Sequence, residues 1–368
     1  MDDTRYWVGF NLVRGIGAVR LQALIEHFGD AASAWQGDVA ELRSAGLSSK
    51  VAERLTELRS TLDLDKLCER ILAQGIQIVT WQDERYPARL KEIEQPPPVL
   101  YVRGELLPED DFAVAVVGTR KITPYGRQVT EELATFLASN GITIISGLAR
   151  GVDALAHSSA LRAGGRTLAV LGSGVDRIYP TENRALAAQI IERGAIMSDY
   201  PVGTAPEATN FPPRNRIISG LSLAVVVIEA GDTSGALITA EFAAEQGREV
   251  FAVPGSVLAP QSKGTNKLIR DGAQPLLTPQ DLLQALNLTR VSAQKSARRL
   301  LPADEVESQL LAALGSEPMH VDDLRNQTGL PVEKVSAALV MMELKGMVRQ
   351  VGGMNYVAVR EVQSGYFA

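Results

Sequence analysis

With Cys68 as its only cysteine, the chain can form no internal disulfide, and a thiolate zinc site has too few ligands. Its three histidines, His27, His157 and His320, lie far apart without metal-ligand spacing. They read as helix-surface or core residues, and neither a metal nor a cofactor is expected. No segment holds eighteen uninterrupted apolar residues, and the start, Met1-Asp2-Asp3-Thr4-Arg5, has no signal-peptide pattern, so the expectation is a cytosolic chain without a membrane span. Neither GxGxxG nor GxxxxGK[ST] occurs, which argues against dinucleotide and P-loop NTPase chemistry.

Excess positive charge is also missing. The net charge is −6, unlike a protein that coats DNA indiscriminately. By segment, residues 1–112 carry 13 basic and 19 acidic groups, whereas 113–276 carry 15 and 14. Binding of an anion is therefore expected in a local groove.

What is present, with 368 residues of which 45% are hydrophobic, is enough for two or three domains. Residues 1–62 read as a helical domain from the spacing of Trp7, Leu12, Val13, Leu21, Leu24 and Phe28. Gly15-Ile16-Gly17 within it resembles the turn of a helix-hairpin-helix. Residues 63–287 begin with a helix, strands near Ile76–Trp81 and Val99–Gly104, and a triple proline at 96–98 expected as an external connector. From Ala113, apolar strand-like runs alternate with helical patterns, the signature of an α/β fold with a doubly wound parallel sheet covered on both faces.

Ligands of such sheets sit at the carboxyl ends of the strands. The turns there carry Gly118-Thr119-Arg120, Ser146-Gly147, Gly172-Ser173-Gly174 and Gly231 to Gly235; glycine lets N–H groups converge on an anion. The stretch Asn210-Phe211-Pro212-Pro213-Arg214-Asn215-Arg216 opens a helix and adds two cations, with Arg214 and Arg216 expected on phosphate. Phe211 beside them reads either as a stacking platform for unpaired bases or as a core anchor. A further cationic helix start carries Lys263, Thr265 and Asn266. Residues 288–303 read as a basic linker. Residues 304–360 read as three helices and a hairpin turned at Gly352-Gly353, which resembles a winged helix; with five basic and nine acidic groups over 304–368, packing or protein contact is favoured over DNA reading.

The runs Val116-Val117-Gly118-Thr119-Arg120, Ser146-Gly147-Leu148-Ala149-Arg150-Gly151 and Gly172-Ser173-Gly174-Val175-Asp176-Arg177-Ile178-Tyr179-Pro180 resemble the DNA-processing protein A family, DprA or Smf. So do Asn210 to Gly220 and Thr233 to Ala240. The resemblance implies an extended Rossmann fold that binds single-stranded DNA without sequence preference, forms a homodimer and helps load RecA recombinase during natural transformation. It places the phosphate pocket on Arg120, the turns at Gly147 and Gly172, Arg214, Arg216 and Lys263. Where family members often carry a basic residue, this chain has Pro213. A dimer contact is expected near Leu268, Ile269, Leu276 and Leu277. The alternative from another class is a Rossmann-fold nucleoside-monophosphate phosphoribohydrolase with Glu229 or Glu241 as carboxylate, although no nucleophile–base pair is evident.

Overall fold

Alanine and valine alone make up Ala113–Val117, and all five are buried, as a strand covered on both faces requires. The computed structural model describes residues 3–286, 305–314, 318–344 and 347–358. Its first unit carries β1 (Gln77–Thr80), β2 (Val99–Gly104), β3 (Ala113–Val117), β4 (Thr143–Ser146), β5 (Thr167–Val170), β6 (Ala195–Ser198), β7 (Ala224–Val227), β8 (Glu249–Ala252) and β9 (Gln274–Pro275). The sheet order is β1-β2-β6-β5-β4-β3-β7-β8-β9. From β6 to β9 every pair is parallel, while β2 joins β6, and β1 joins β2, antiparallel.

Side chains alternate between two apolar layers. In β5, Leu168 and Val170 pack with Ile217, Ala240 and Ala243 on one face, whereas Ala169 joins Trp7, Phe10 and Leu24 on the other. The expected doubly wound α/β fold is thus present. Chain order reverses between β3 and β7, which are neighbours in the sheet although β4, β5 and β6 lie between them in sequence. That is the switch point at which open α/β sheets leave a crevice.

Helices Thr4–Leu12, Ala18–Phe28, Ala31–Gln36, Val39–Ser44, Ser49–Thr61 and Leu64–Leu72 precede the sheet. Aspartates start three of them: Asp30, Asp38 and Asp63 each accept from a backbone N–H three residues on. Gly15 turns the first hairpin at φ +111°. These helices share their core with the sheet, and residues 1–286 form one compact unit, so the boundary expected at residue 62 falls inside a continuous core. Asn11 stitches the two parts together by donating to Asp199 O and accepting from Tyr101.

The triple proline is not the external connector expected. Pro97 is buried, and its carbonyl accepts from the buried Tyr86 hydroxyl at 2.9 Å. Proline brings no N–H to satisfy, so only the carbonyl needs a partner.

The second unit has helices Glu305–Ala313, Val321–Thr328 and Val332–Leu344 and a three-stranded sheet of β10 (Met319–His320), β12 (Asn355–Ala358) and β11 (Val348–Gln350). Leu310, Leu324, Val335, Leu339, Met342 and Tyr356 form its core. This is the expected winged helix. The basic linker lies outside the described residues. Among the described residues no helix is long and apolar enough to cross a membrane.

Candidate nucleic-acid interface

The helix Phe211–Gly220 delivers the organising residues to the crevice. Pro212 and Pro213 sit in its first turn, where a missing N–H costs nothing. Its first residue, Phe211, is half-buried at the carboxyl end of β5, and Gly172 makes room for it: a Cβ there would lie 2.8 Å from the ring. Arg120 and Arg214 hold their guanidinium carbons 5.7 and 5.8 Å from the ring centroid, within cation–π range. Tyr179, exposed on the following loop, lies 5.8 Å from Phe211 with ring planes inclined by 33°. Arg120, Phe211, Arg214 and Tyr179, together with Gly147, Ala149, Arg150 and Pro180, line a small pocket open to solvent. A groove continues from it past Gly118, Thr119 and Asn215 to Gly231–Thr239 and Lys263, along the carboxyl ends of β3 and β7.

Arg214 is not a surface cation. Its Nη1 donates to the carbonyls of Gly147 and Val170, and its Nε to Asn215 Oδ1. Gly147 admits it, since a Cβ would lie 2.7 Å from Nη2 and 2.9 Å from Asp153 Oδ2. Burial pulls the guanidinium down to about 10, against the pull of Asp153, so it stays charged at neutral pH. Asp153 is itself buried, and desolvation pushes its carboxyl up while Arg214 and the amides of Ala149 and Gly147 hold it down. Leu148 takes a left-handed φ of 56° between those two amides, a cost of about 1–2 kcal/mol for a residue with a Cβ. Asn183 fastens it through Leu148 O at 2.8 Å.

Several N–H groups of the glycine turns are already engaged within the protein. Gly147 N and Ala149 N are already taken by Asp153, Thr119 N by Glu229 O, and Gly174 N by Thr204 O. These four donors are spent inside the protein, and Gly147 and Gly172 also allow close approach of Arg214 and Phe211. Thr119 Oγ1 accepts from Lys121 N, and Ser146 donates to Val116 O.

Other expected site residues part company with the pocket. Arg216 donates to Asp199 Oδ2 at 2.8 Å and is largely buried, away from the pocket lining. Thr265 is buried and donates to Ser262 O, and Asn266 clasps both backbone groups of Gly255. Lys263 stays on the groove, 4.0 Å from Asp232. Asn210 stands next to Phe211, its carbonyl accepting from Tyr200. Glu229, one carboxylate considered for hydrolysis, is buried and accepts from Thr123 N and Thr123 Oγ1 at the start of the helix Pro124–Ser139; Glu241 lies exposed on Gly235–Glu245. Of the expected dimer residues, Leu276 is buried, Leu268 packs against the core, Ile269 is half-buried and Leu277 is 73% exposed.

Sequence reasoning missed Tyr179, Arg150 and Asp153 as parts of the site. Arg150 lines the pocket while bonded through two nitrogens to Glu182 at 2.6 and 2.8 Å. The signal was available for Tyr179: an aromatic followed by proline directly after a glycine turn.

Comparison with known proteins completes the picture. The profile of the family described as DNA recombination-mediator protein A matches residues 77–287, and that of the DprA winged helix domain matches 294–354. Protein Smf from Synechocystis is 38% identical, over 96% of this chain and 98% of its own. DNA processing protein A from Streptococcus pneumoniae superposes with a TM-score of 0.68 and 34% identity, over 77% of this chain and 98% of that one. The Helicobacter pylori protein, described for its single-stranded DNA binding mode, has a TM-score of 0.53 and 33% identity, over 58% and 96%.

Proposed function

Because the chain belongs to the DNA-processing protein A family, we propose that it binds single-stranded DNA without sequence preference in the pocket and groove along the carboxyl ends of β5, β4, β3 and β7. The observation that carries this reading is the half-buried Phe211 ring, with two guanidinium groups and the Tyr179 ring within 5.8 Å of its centre. A base has a π-face whatever its identity, and a ring flanked by cations can stack it while the phosphates are neutralised. No reading helix is needed, so unpaired bases are preferred to a duplex. The exposed cation that contacts phosphate is Arg120, with Lys263 further along the groove; Arg214 contributes its charge from a buried position.

The protein acts by binding rather than by hydrolysis, a reading supported by Glu229, whose carboxylate is spent on Thr123. In the cell it protects incoming single strands and helps load RecA recombinase on them during natural transformation. It works as a homodimer through the edge that carries Ile269 and Leu277; an exposed leucine beside an edge strand supports that choice. A titration against single- and double-stranded oligonucleotides across salt concentrations tests the central claim. Tighter single-strand binding is expected, and equal affinity at physiological salt would overturn it. Sedimentation at micromolar concentration tests the dimer, with a monomer counting against it.

A further inference from the structure

Arg120 borders a second depression, of whose lining Phe211 is no part. Lys121, Ile122 and Arg127 form one wall, Gly151, Ala154, Leu155 and Ser158 its floor, and Leu186 and Gln189 on the helix Arg184–Arg193 the opposite wall. Three cations line this channel and no carboxylate does. Arg120, Lys121 and Arg127 are all exposed, and none has an acidic partner within 4.0 Å among the described residues. The nearest acid on the same helix face, Glu131, lies one turn beyond Arg127 and is offset by Arg162 at 3.8 Å. Gly151 is required for the floor: at φ +76° it packs where a Cβ would lie 2.3 Å from Thr119 O.

We infer that this channel is a second single-strand subsite, which receives the nucleotides flanking the one held at Phe211. Cations along one wall and an apolar floor of Ala154 and Leu155 suit a strand with its phosphates to one side and its bases to the other. Arg120, shared by both depressions, is the point where the strand passes between them. Unpaired surface cations release counterions when they meet phosphate, and Lys121 and Arg127 have no protein partner to give up first.

The inference rests on the single-strand reading, and the experiment separates the two. Wild type and the double variant Lys121→Ala/Arg127→Ala are titrated with oligothymidylates of about 5 and about 15 nucleotides, near the two ends of common single-strand site sizes. The short strand should bind both proteins equally. With the long strand the variant's salt slope should be shallower by about 1.4, at about 0.7 for each of two phosphates. Ser158→Trp, which blocks the floor without changing charge, should bring long-strand affinity close to the short-strand value. Unchanged long-strand binding in both variants overturns the channel while leaving the pocket standing, and equal losses at both lengths overturn it as mere background electrostatics. A wild type that binds neither strand overturns the single-strand reading and the channel with it. Unaltered melting of both variants confirms that the comparison is between folded proteins.

Discussion

Gly172→Ala adds one methyl group beneath the Phe211 ring and alters no charge. The new Cβ would sit 2.8 Å from Phe211 Cδ1, where carbon pairs prefer about 3.5–4.0 Å, so the ring must retreat by about 0.7–1.2 Å. The glycine does not have a left-handed backbone, and alanine brings no backbone penalty of its own. Full loss of one stacked base costs about 1–3 kcal/mol, which sets the ceiling at about 5- to 150-fold weaker binding. Fluorescence anisotropy with a labelled oligothymidylate should record a loss below that ceiling, with an unchanged salt slope. Phe211→Ala removes the ring that the methyl group displaces, so Gly172→Ala should be nearly silent in that background. Equal losses in both backgrounds would refute the reasoning, because Gly172 would then act through its own backbone and not through the ring.

Arg120→Ala should weaken binding to all sequences alike, with a salt slope shallower by about 0.7 for one phosphate contact; thermal melting should stay put, since the side chain is exposed. Arg214→Ala should instead cost folding stability, about 3–5 kcal/mol in urea denaturation, because it leaves Asp153 and two carbonyls buried without their cation. His157 adds a pH dependence. Burial pulls it down to about 3, so between that value and an unfolded value of about 6.5 only the unfolded chain binds the proton. Stability is then fully present above about pH 6.5 and falls by up to about 1.4 kcal/mol per unit on acidification. Asp153, shifted upward, has the opposite sign, so the check is the difference between wild-type and His157→Gln stability curves; parallel curves from pH 7 to 4.5 would exclude the effect.

The alternation of apolar strands and amphipathic helices was readable because strands covered on both faces need continuous apolar runs, and Ala113–Val117 or Ala224–Val227 can be little else. The location of the candidate site was expected from the rule that ligands of open sheets sit at the carboxyl ends of the strands. Less readable was the orientation of individual side chains. Arg214 and Arg216 look equivalent in a loop, but the helix begins at Phe211, which sets them about 200° apart around its axis. One therefore turns inward to the carbonyls of Gly147 and Val170, and the other reaches Asp199. The turn glycines were legible as turns but not in purpose, because the clash each one avoids comes from residues distant in sequence: Arg214 for Gly147 and Phe211 for Gly172.

The inward turn of Arg214 explains how a chain of net charge −6 can present a cationic pocket. An exposed arginine must give up rotamer freedom to hold a phosphate, and salt screens it. Arg214 has met that entropy cost on folding, because two carbonyls and Asn215 hold its guanidinium in place. Asp153 accompanies it on the groove, but the aspartate accepts from the amides of Gly147 and Ala149, whereas the pocket at Phe211 is lined by Arg120, Arg150 and Arg214 and by no carboxylate. The carboxylate's charge is thus partly met by backbone amides of the turn after β4. In low dielectric a buried cation is screened less than a surface charge would be. The exposed Arg120 then needs to supply only the adjustable contact, and the variants separate the two roles: loss of Arg120 lowers affinity alone, whereas loss of Arg214 lowers stability first.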